Sequence, residues 1–433
     1  MPYQEWRDKI KPEKKIRSYQ HIDDLIDLNI DKDFNKIVHA IKNIKNHQFL
    51  PFIKRVETII RFRKNKEGKA QRESKIRPIM YASHVDSHIY SYYNFILLDE
   101  YENYLRTLGI NPNVIAYRKV VIEKTGRGKS NIHFAKEVFD YIQTQQESVV
   151  VTQDIEGFFD NINHELLKQK ICKIKSIARL DDSFFKIFKS LTKYRYIEHK
   201  DFEDKKIRRK IKKHKYAIYR ALEGVFKENK TAKGIPQGSP ISGLLANISL
   251  IDFDNDIRIT FPDVFYRRYS DDLVFVCKKE QKDLLLQFID KKIKESKLRI
   301  NANKSFISYF KQTGENVVCE QVTDGLHEPL GRKYVDYLGL EFSGTKIFLR
   351  KNTIQKLKRK QIAKTIKRVS NTIKQKRRKP KKIKNSTVKI RSNYLKKAVE
   401  VVNNSGVKKQ VLKVTKDRNK ARRMTLREIN TQL

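Results

Sequence analysis

Residues 265–277 read FYRRYSDDLVFVC. Two apolar, β-prone runs flank two adjacent acids, Asp271 and Asp272. Runs of this kind favour strands. A two-residue break between them predicts a tight hairpin with Asp271 at its tip. A pair of carboxylates held at the tip of an otherwise buried hairpin is unfavourable unless something compensates the charge.

Upstream, residues 149–162 read VVVTQDIEGFFDNI, a short apolar run that ends in Asp154. If the two strands share a sheet, Asp154 and Asp271 come together and repel. Divalent cations resolve that repulsion. Magnesium takes few carboxylates and fills its shell with water and substrate phosphate, and two such ions can clamp both oxygens of an in-line displacement. Each motif alone is weak, because an S-D-D turn is a common surface turn and a strand-end Asp is as often structural. Specificity comes from the loop between them, KGIPQGSPISGLLAN at 233–247. Gly234, Gly238 and Gly243 allow backbone to approach a ligand closely. Pro236 and Pro240 stiffen the loop, and Gln237 supplies an amide.

Composition narrows the partner class. The chain has 433 residues, enough for two or three domains with a sizeable core. Its formal charge is +45. A surplus of that size is self-repelling unless a polyanion neutralises it, which points to nucleic acid. Cys172, Cys277 and Cys319 lie far apart with no C-x-x-C pair, so neither zinc nor a disulfide framework is indicated. No apolar run approaches the ~20 residues of a membrane span, and the N-terminus lacks a signal core. A reducing, cytoplasmic setting without a membrane partner is expected.

Periodicity predicts amphipathic helix over 1–50, with the apolar spacing plainest in 19–41, and a longer buried helix at 84–106. In 111–131 it predicts a short strand, then a Gly- and Lys-rich loop leading to a helix from Asn131. From 148 the pattern alternates between strand and helix: a helix at 164–174, an apolar one at 244–257, another near 281–297, and short strands within 300–310 and 334–344. Residues 351–433 carry 29 Lys and Arg against 3 Asp and Glu. Apolar residues recur there at helical spacing, as at Ile354, Leu357, Ile362 and Ile366, so a basic helical bundle is expected. Within it, 374–386 reads as a linker. A face so charged suits a phosphate backbone.

The order D-I-x-G-F-F-D-N-I, G-I-P-Q-G-S-P, Y-x-D-D resembles reverse transcriptases. It is most similar to bacterial ones: group II intron enzymes, retrons and stand-alone defence-associated groups. Residues 74–102 and 116–139 resemble the family's first two finger blocks, and 300–310 and 334–342 its last palm blocks, so the likeness covers about 70–345. It implies an α+β right-hand polymerase. The layout would be an N-terminal helical extension (1–70), fingers (71–147), a palm (148–345, with finger elements inserted at about 180–232) and a basic helical thumb (346–433).

Residue by residue, the resemblance makes Asp154 and Asp271 the metal holders, assisted by the Ile155 carbonyl, with Asp272 as the second acid. The ions would be two Mg2+, with Mn2+ as a substitute. Phe159 stands where the family has its aromatic sugar gate, beside a core Phe158. Gln237 and Gly238 would line the nucleotide pocket. Lys75 and Arg77 would meet the triphosphate, Lys304 the leaving pyrophosphate, and Leu338 with Gly339 the primer. The implied partners are an RNA template, dNTPs and a DNA product.

No Cys- or His-rich nuclease module is read after the thumb-like region, so none is expected, and Val322-Thr323-Asp324-Gly325 is only a near match to the retron triplet Val-Thr-Gly. Both favour a compact defence-associated enzyme with a dedicated noncoding RNA. An intron-type maturase or retron enzyme, and a non-catalytic RNA-binding protein, stand as alternatives.

Overall fold

A computed structural model describes residues 2–10, 19–64, 70–213 and 222–356, with isolated residues beyond. Most of the expected basic bundle, including Leu357, Ile362 and Ile366, lies outside the described residues. The strands in chain order are β1 (Phe52–Lys64), β2 (Ala70–Tyr81), β3 (Glu147–Asp154), β4 (Arg195–Glu198), β5 (Lys227–Glu228), β6 (Phe265–Tyr269) and β7 (Asp272–Cys277). They continue as β8 (Phe306–Thr313), β9 (Asn316–Asp324), β10 (Pro329–Leu330), β11 (Val335–Tyr337), β12 (Leu340–Phe342) and β13 (Ile347–Leu349).

The fold is α+β. A six-stranded antiparallel sheet, ordered β10-β9-β8-β3-β7-β6, lies within the segment expected to be the palm. A four-stranded sheet, β2-β1-β4-β5, stands beside it, and a small one, β11-β12-β13, closes the far side. The β1–β2 hairpin runs from 52 to 81 and straddles residue 70. Strand β4, from the 180–232 segment, joins that hairpin in parallel along β1.

The palm sheet is buried on both faces, and its alternation shows it. Val149, Val151, Leu273, Phe275 and Cys277 face one core with the long helix His84–Leu108 and the helices His164–Ile174 and Ser242–Ile248. Val150, Val274 and Val276 face a second core with the helix Asn131–Gln143 and the small sheet. A period of two sends successive side chains to opposite layers. All three cysteines are free and buried.

The long helix starts at the side-chain cap of Ser83, which accepts from the Asp86 amide. It ends at Gly109 in the left-handed conformation, as helices often do. Two expectations fail. Within 19–41 only Asp31–Lys42 is helical, and 19–30 is irregular. The carboxylate of Asp23 accepts from the His84 and Val85 amides, and that of Asp27 from the Asn29 amide. Short acidic side chains that bond backbone in this way compete with helix. The strand expected within 111–131 is absent: that segment makes only isolated bridges, Val114 to Arg268 and Val121 to Gly128. Among the described residues, no helix is long and apolar enough to cross a membrane.

Candidate active site

Strands β6 and β7 form a hairpin closed by the pair Tyr269–Asp272, which leaves Ser270 and Asp271 as its turn. Ser270 has φ 61°, the left-handed geometry that two-residue hairpins require. Strand β7 lies directly against β3, with Asp154 opposite Asp272. Cross-strand partners share a face, so these two carboxylates lie side by side with Asp271 at the adjoining turn.

The strand end is stitched in place. The Ile155 amide donates to the Asp271 carbonyl at 3.0 Å, the Glu156 amide to the Arg299 carbonyl at 2.9 Å, and the Asn301 amide to the Asp154 carbonyl at 2.8 Å. Lys304 pairs with Asp154 through its ammonium, so the structure places this lysine on a carboxylate of the acidic cluster. Burial, then the charges of Asp271 and Asp154, push the Asp272 carboxyl up to about 7, with Lys304 and Arg350 working in the opposite direction.

Beyond Asp154 the chain turns at Gly157, φ 53°, into a single helical turn, Phe158–Asn161. Phe158 is core, and Phe159 is half-buried at the wall of a cleft. That cleft has a volume of about 590 Å³ and reaches from the three acids to Gln237 and Arg77. The loop carrying Gln237 docks on β2, where the Met80 amide donates to the Gln237 carbonyl at 2.8 Å. Gly238, φ 124°, is required there, since a Cβ would stand 2.5 Å from the Met80 carbonyl oxygen. The same loop crosses under Phe159, whose carbonyl accepts from the Ile235 amide at 2.9 Å.

Arg77 is exposed on β2. Lys75 lies on the same strand, but its side chain is outside the described residues.

A second cleft, about 680 Å³, opens on the other side of the acids. Leu338 and Gly339 line it. They form the two-residue turn between β11 and β12, with φ 46° and 88°. The Asn131 side chain donates to the Leu338 carbonyl, and the Arg350 amide to that of Gly339. Arg332, also in this cleft, lies over the Phe306 ring at 4.1 Å. The two clefts share the three acids, Arg77 and Lys304.

Sequence reasoning therefore brought together Asp154, Ile155, Asp271, Asp272, Phe159, Gln237 and Lys304 around one cleft, and Leu338 and Gly339 around its neighbour. It missed Tyr117, which lines the first cleft, and Arg332, which lines the second. No turn or charge signal marks Tyr117 in the chain.

Among the described residues, no cluster of three or more His, Cys, Asp or Glu side chains stands ready to hold an ion. The donors here are carboxylates plus a backbone carbonyl, and the crowded acids raise a buried carboxyl. Such a set fits a hard cation that takes few protein oxygens and completes its shell with water and phosphate.

No curated protein matches the chain. Among solved structures it is similar to telomerase from Candida albicans in complex with a TWJ fragment of telomeric RNA, at 14% identity over 92% of this chain and 58% of that one, TM-score 0.42. Apo telomerase from Candida tropicalis gives 12% identity over 92% of this chain and 62% of that one, TM-score 0.41. The chain spans less than two thirds of either structure. Residues 65–342 match the family described as reverse transcriptase (RNA-dependent DNA polymerase). With the acid pair in register on the palm sheet and the match running through it, the chain belongs to the reverse transcriptase family of RNA-dependent DNA polymerases.

Proposed function

We propose that this chain extends a primer with deoxynucleotides on an RNA template. One observation carries the reading: the β3–β7 register sets Asp154 beside Asp272 with Asp271 at the turn, in a cleft walled by Phe159 and Gln237. Asp154, Asp271 and the Ile155 carbonyl would hold Mg2+, with Asp272 in support. Two bound ions would lower the pKa of the primer hydroxyl and neutralise charge on the departing pyrophosphate.

The protein's own part is positioning. Phe159, at the cleft wall, would exclude a ribose 2′-hydroxyl by steric collision. Gln237 and Gly238 carry the base end of the pocket, while Arg77 and Lys75 meet the triphosphate. Lys304, at the acids, would assist the leaving group. Leu338 and Gly339 hold the primer end in the second cleft. Catalysis then rests on geometry and preset charge, as in other phosphoryl transfers.

The motif set most resembles bacterial defence-associated enzymes. That supports a cytoplasmic enzyme copying a dedicated noncoding RNA in antiphage defence, with fingers over 71–147, palm over 148–345 and a basic thumb beyond.

The test is to purify the protein with its bound nucleic acid, sequence both strands, and repeat with Asp271→Asn. RNA in both preparations and complementary DNA only with the wild type is the expected result. DNA copies persisting with Asp271→Asn would overturn the catalytic reading. Absence of any co-purified RNA would overturn the dedicated template.

A further inference from the structure

Tyr117 is placed at the cleft against three opposing preferences. Its φ is 57°, a region where bulky residues are outliers. The residue is 52% exposed, although an aromatic side chain gains by burial. The helix beneath it carries glycine at 243, where a Cβ would stand 2.6 Å from ring carbons Cγ and Cδ1.

Strained backbone persists only where its surroundings over-determine it, and here both flanks are fixed. The Ile115 amide donates to the Arg268 carbonyl at 3.0 Å. The Asn247 side chain donates to the Ala116 carbonyl at 2.8 Å. The Arg118 guanidinium reaches both carboxylate oxygens of Glu102, at 2.7 and 2.5 Å. These contacts deliver the ring edge-on to Phe159, with centroids 6.3 Å apart and planes at 89°. Both rings line the cleft that contains Asp154 and Gln237.

We propose that Tyr117 is a specificity-determining residue, the second wall of the nucleotide pocket. Its ring and that of Phe159 make a right-angled aromatic corner against which the sugar and base of the incoming deoxynucleoside triphosphate pack. A core role does not explain the ring, because the residue is exposed and lines the cleft, and the position packed against its ring, 243, is glycine. Aromatic faces hold nucleotides without sequence preference, as a polymerase pocket must. Tyr117 also fixes the lateral position of Phe159 and so sharpens rejection of the 2′-hydroxyl. This proposal rests on the polymerase reading above.

The decisive variant is Gly243→Ala. Gly243 is not in the left-handed region and is the second residue of the helix Ser242–Ile248, where alanine is favoured over glycine. The helix itself accepts the methyl, and its approach to Cγ and Cδ1 makes the Tyr117 side chain shift; a melting temperature near that of the wild type shows that the fold is kept. On an RNA template with a DNA primer and Mg2+, Gly243→Ala and Tyr117→Ala are expected to raise the dNTP KM about ten- to a hundredfold, the worth of one aromatic contact to a nucleotide. kcat should change far less, and discrimination against rNTPs should fall. Tyr117→Phe, which keeps the ring, should restore most of the loss. Equilibrium binding of a dNTP to the protein–template–primer complex should weaken in parallel.

If the wild type extends primers but both alanine variants keep its dNTP KM and sugar discrimination, the assignment of Tyr117 is overturned and the polymerase reading stands. If the wild type neither binds nor incorporates any nucleotide, both fall.

Discussion

Arg268 and Asp254 meet as a fully buried, bidentate ion pair directly beneath the acidic turn. The contacts are Nε to Oδ1 at 2.8 Å and Nη2 to Oδ2 at 2.5 Å. The same guanidinium donates to the Ser270 carbonyl at 3.3 Å and to the Asn247 side chain at 3.1 Å. The Tyr266 hydroxyl donates to Asp254 at 2.6 Å. Burial opposes the charge on Arg268, and Asp254 more than offsets it. Removing one partner of such a pair strands the other. Arg268→Met is expected to destabilise the fold by about 3–5 kcal/mol, read as a lowered urea midpoint. Arg268→Met combined with Asp254→Leu should recover most of that stability, yet primer extension should stay slow because the turn has lost its anchor.

Gly238 tests how the nucleotide loop is seated. Its φ of 124° and the 2.5 Å approach to the Met80 carbonyl leave no place for a methyl group. Gly238→Ala is expected to cost about 1–3 kcal/mol through backbone strain and to lift the loop from β2. A raised dNTP KM together with a small loss of melting temperature would be the signature. A variant indistinguishable from wild type in both would show that the loop docks elsewhere.

Phe159 stands at the cleft wall while Phe158 is buried beside it. Phe159→Ala should therefore relax sugar selection, with rNTP incorporation rising relative to dNTP and the fold kept. Phe158→Ala should instead destabilise by about 3–5 kcal/mol as a core truncation. Unchanged dNTP preference in Phe159→Ala would remove the gate assignment.

His21 gives the fold an acid-labile point. Its side chain is fully buried among Tyr19, Tyr81 and Phe202. Burial holds its pKa down at about 4, against a raising effect from Asp23 and a further lowering one from His84. In the unfolded chain the group titrates near its ordinary value of about 6.5, so between those values the unfolded state binds the extra proton. Stability from this group is complete above pH ~6.5 and is lost as pH falls towards 4, about 2 kcal/mol between pH 7 and pH 5. His21→Phe should flatten that part of the stability–pH profile. An equally steep profile in the variant would place the acid sensitivity elsewhere.

What was legible in the chain was whatever local chemistry determines. The acids of 265–277 lie between two apolar, β-prone runs that write the hairpin, and the glycines of 234–243 announce close contacts that the structure contains at Met80 and Tyr117. The segment 19–30 misled because Ile22, Ile26 and Leu28 are buried as a helix face would be, while Asp23 and Asp27 spend their carboxylates on backbone amides. The stretch around Tyr117 misled for the converse reason. It looks β-prone, but its backbone partners, Arg268 and Asn247, lie more than a hundred residues away. Long-range seating of that kind has no local signature, and the exposed ring at the cleft went unread with it.

The chain holds a single tryptophan, Trp6, which is wholly buried against the long helix, edge-on to Tyr92 and hydrogen-bonded to Ser91. The indole therefore reports first on its own seat against the long helix. Emission excited selectively at the indole, apart from the tyrosines, is an optical gauge of whether the helix Pro2–Ile10 is docked. An unfolding curve followed by that emission and one followed by backbone circular dichroism coincide only if the first helix leaves together with the rest.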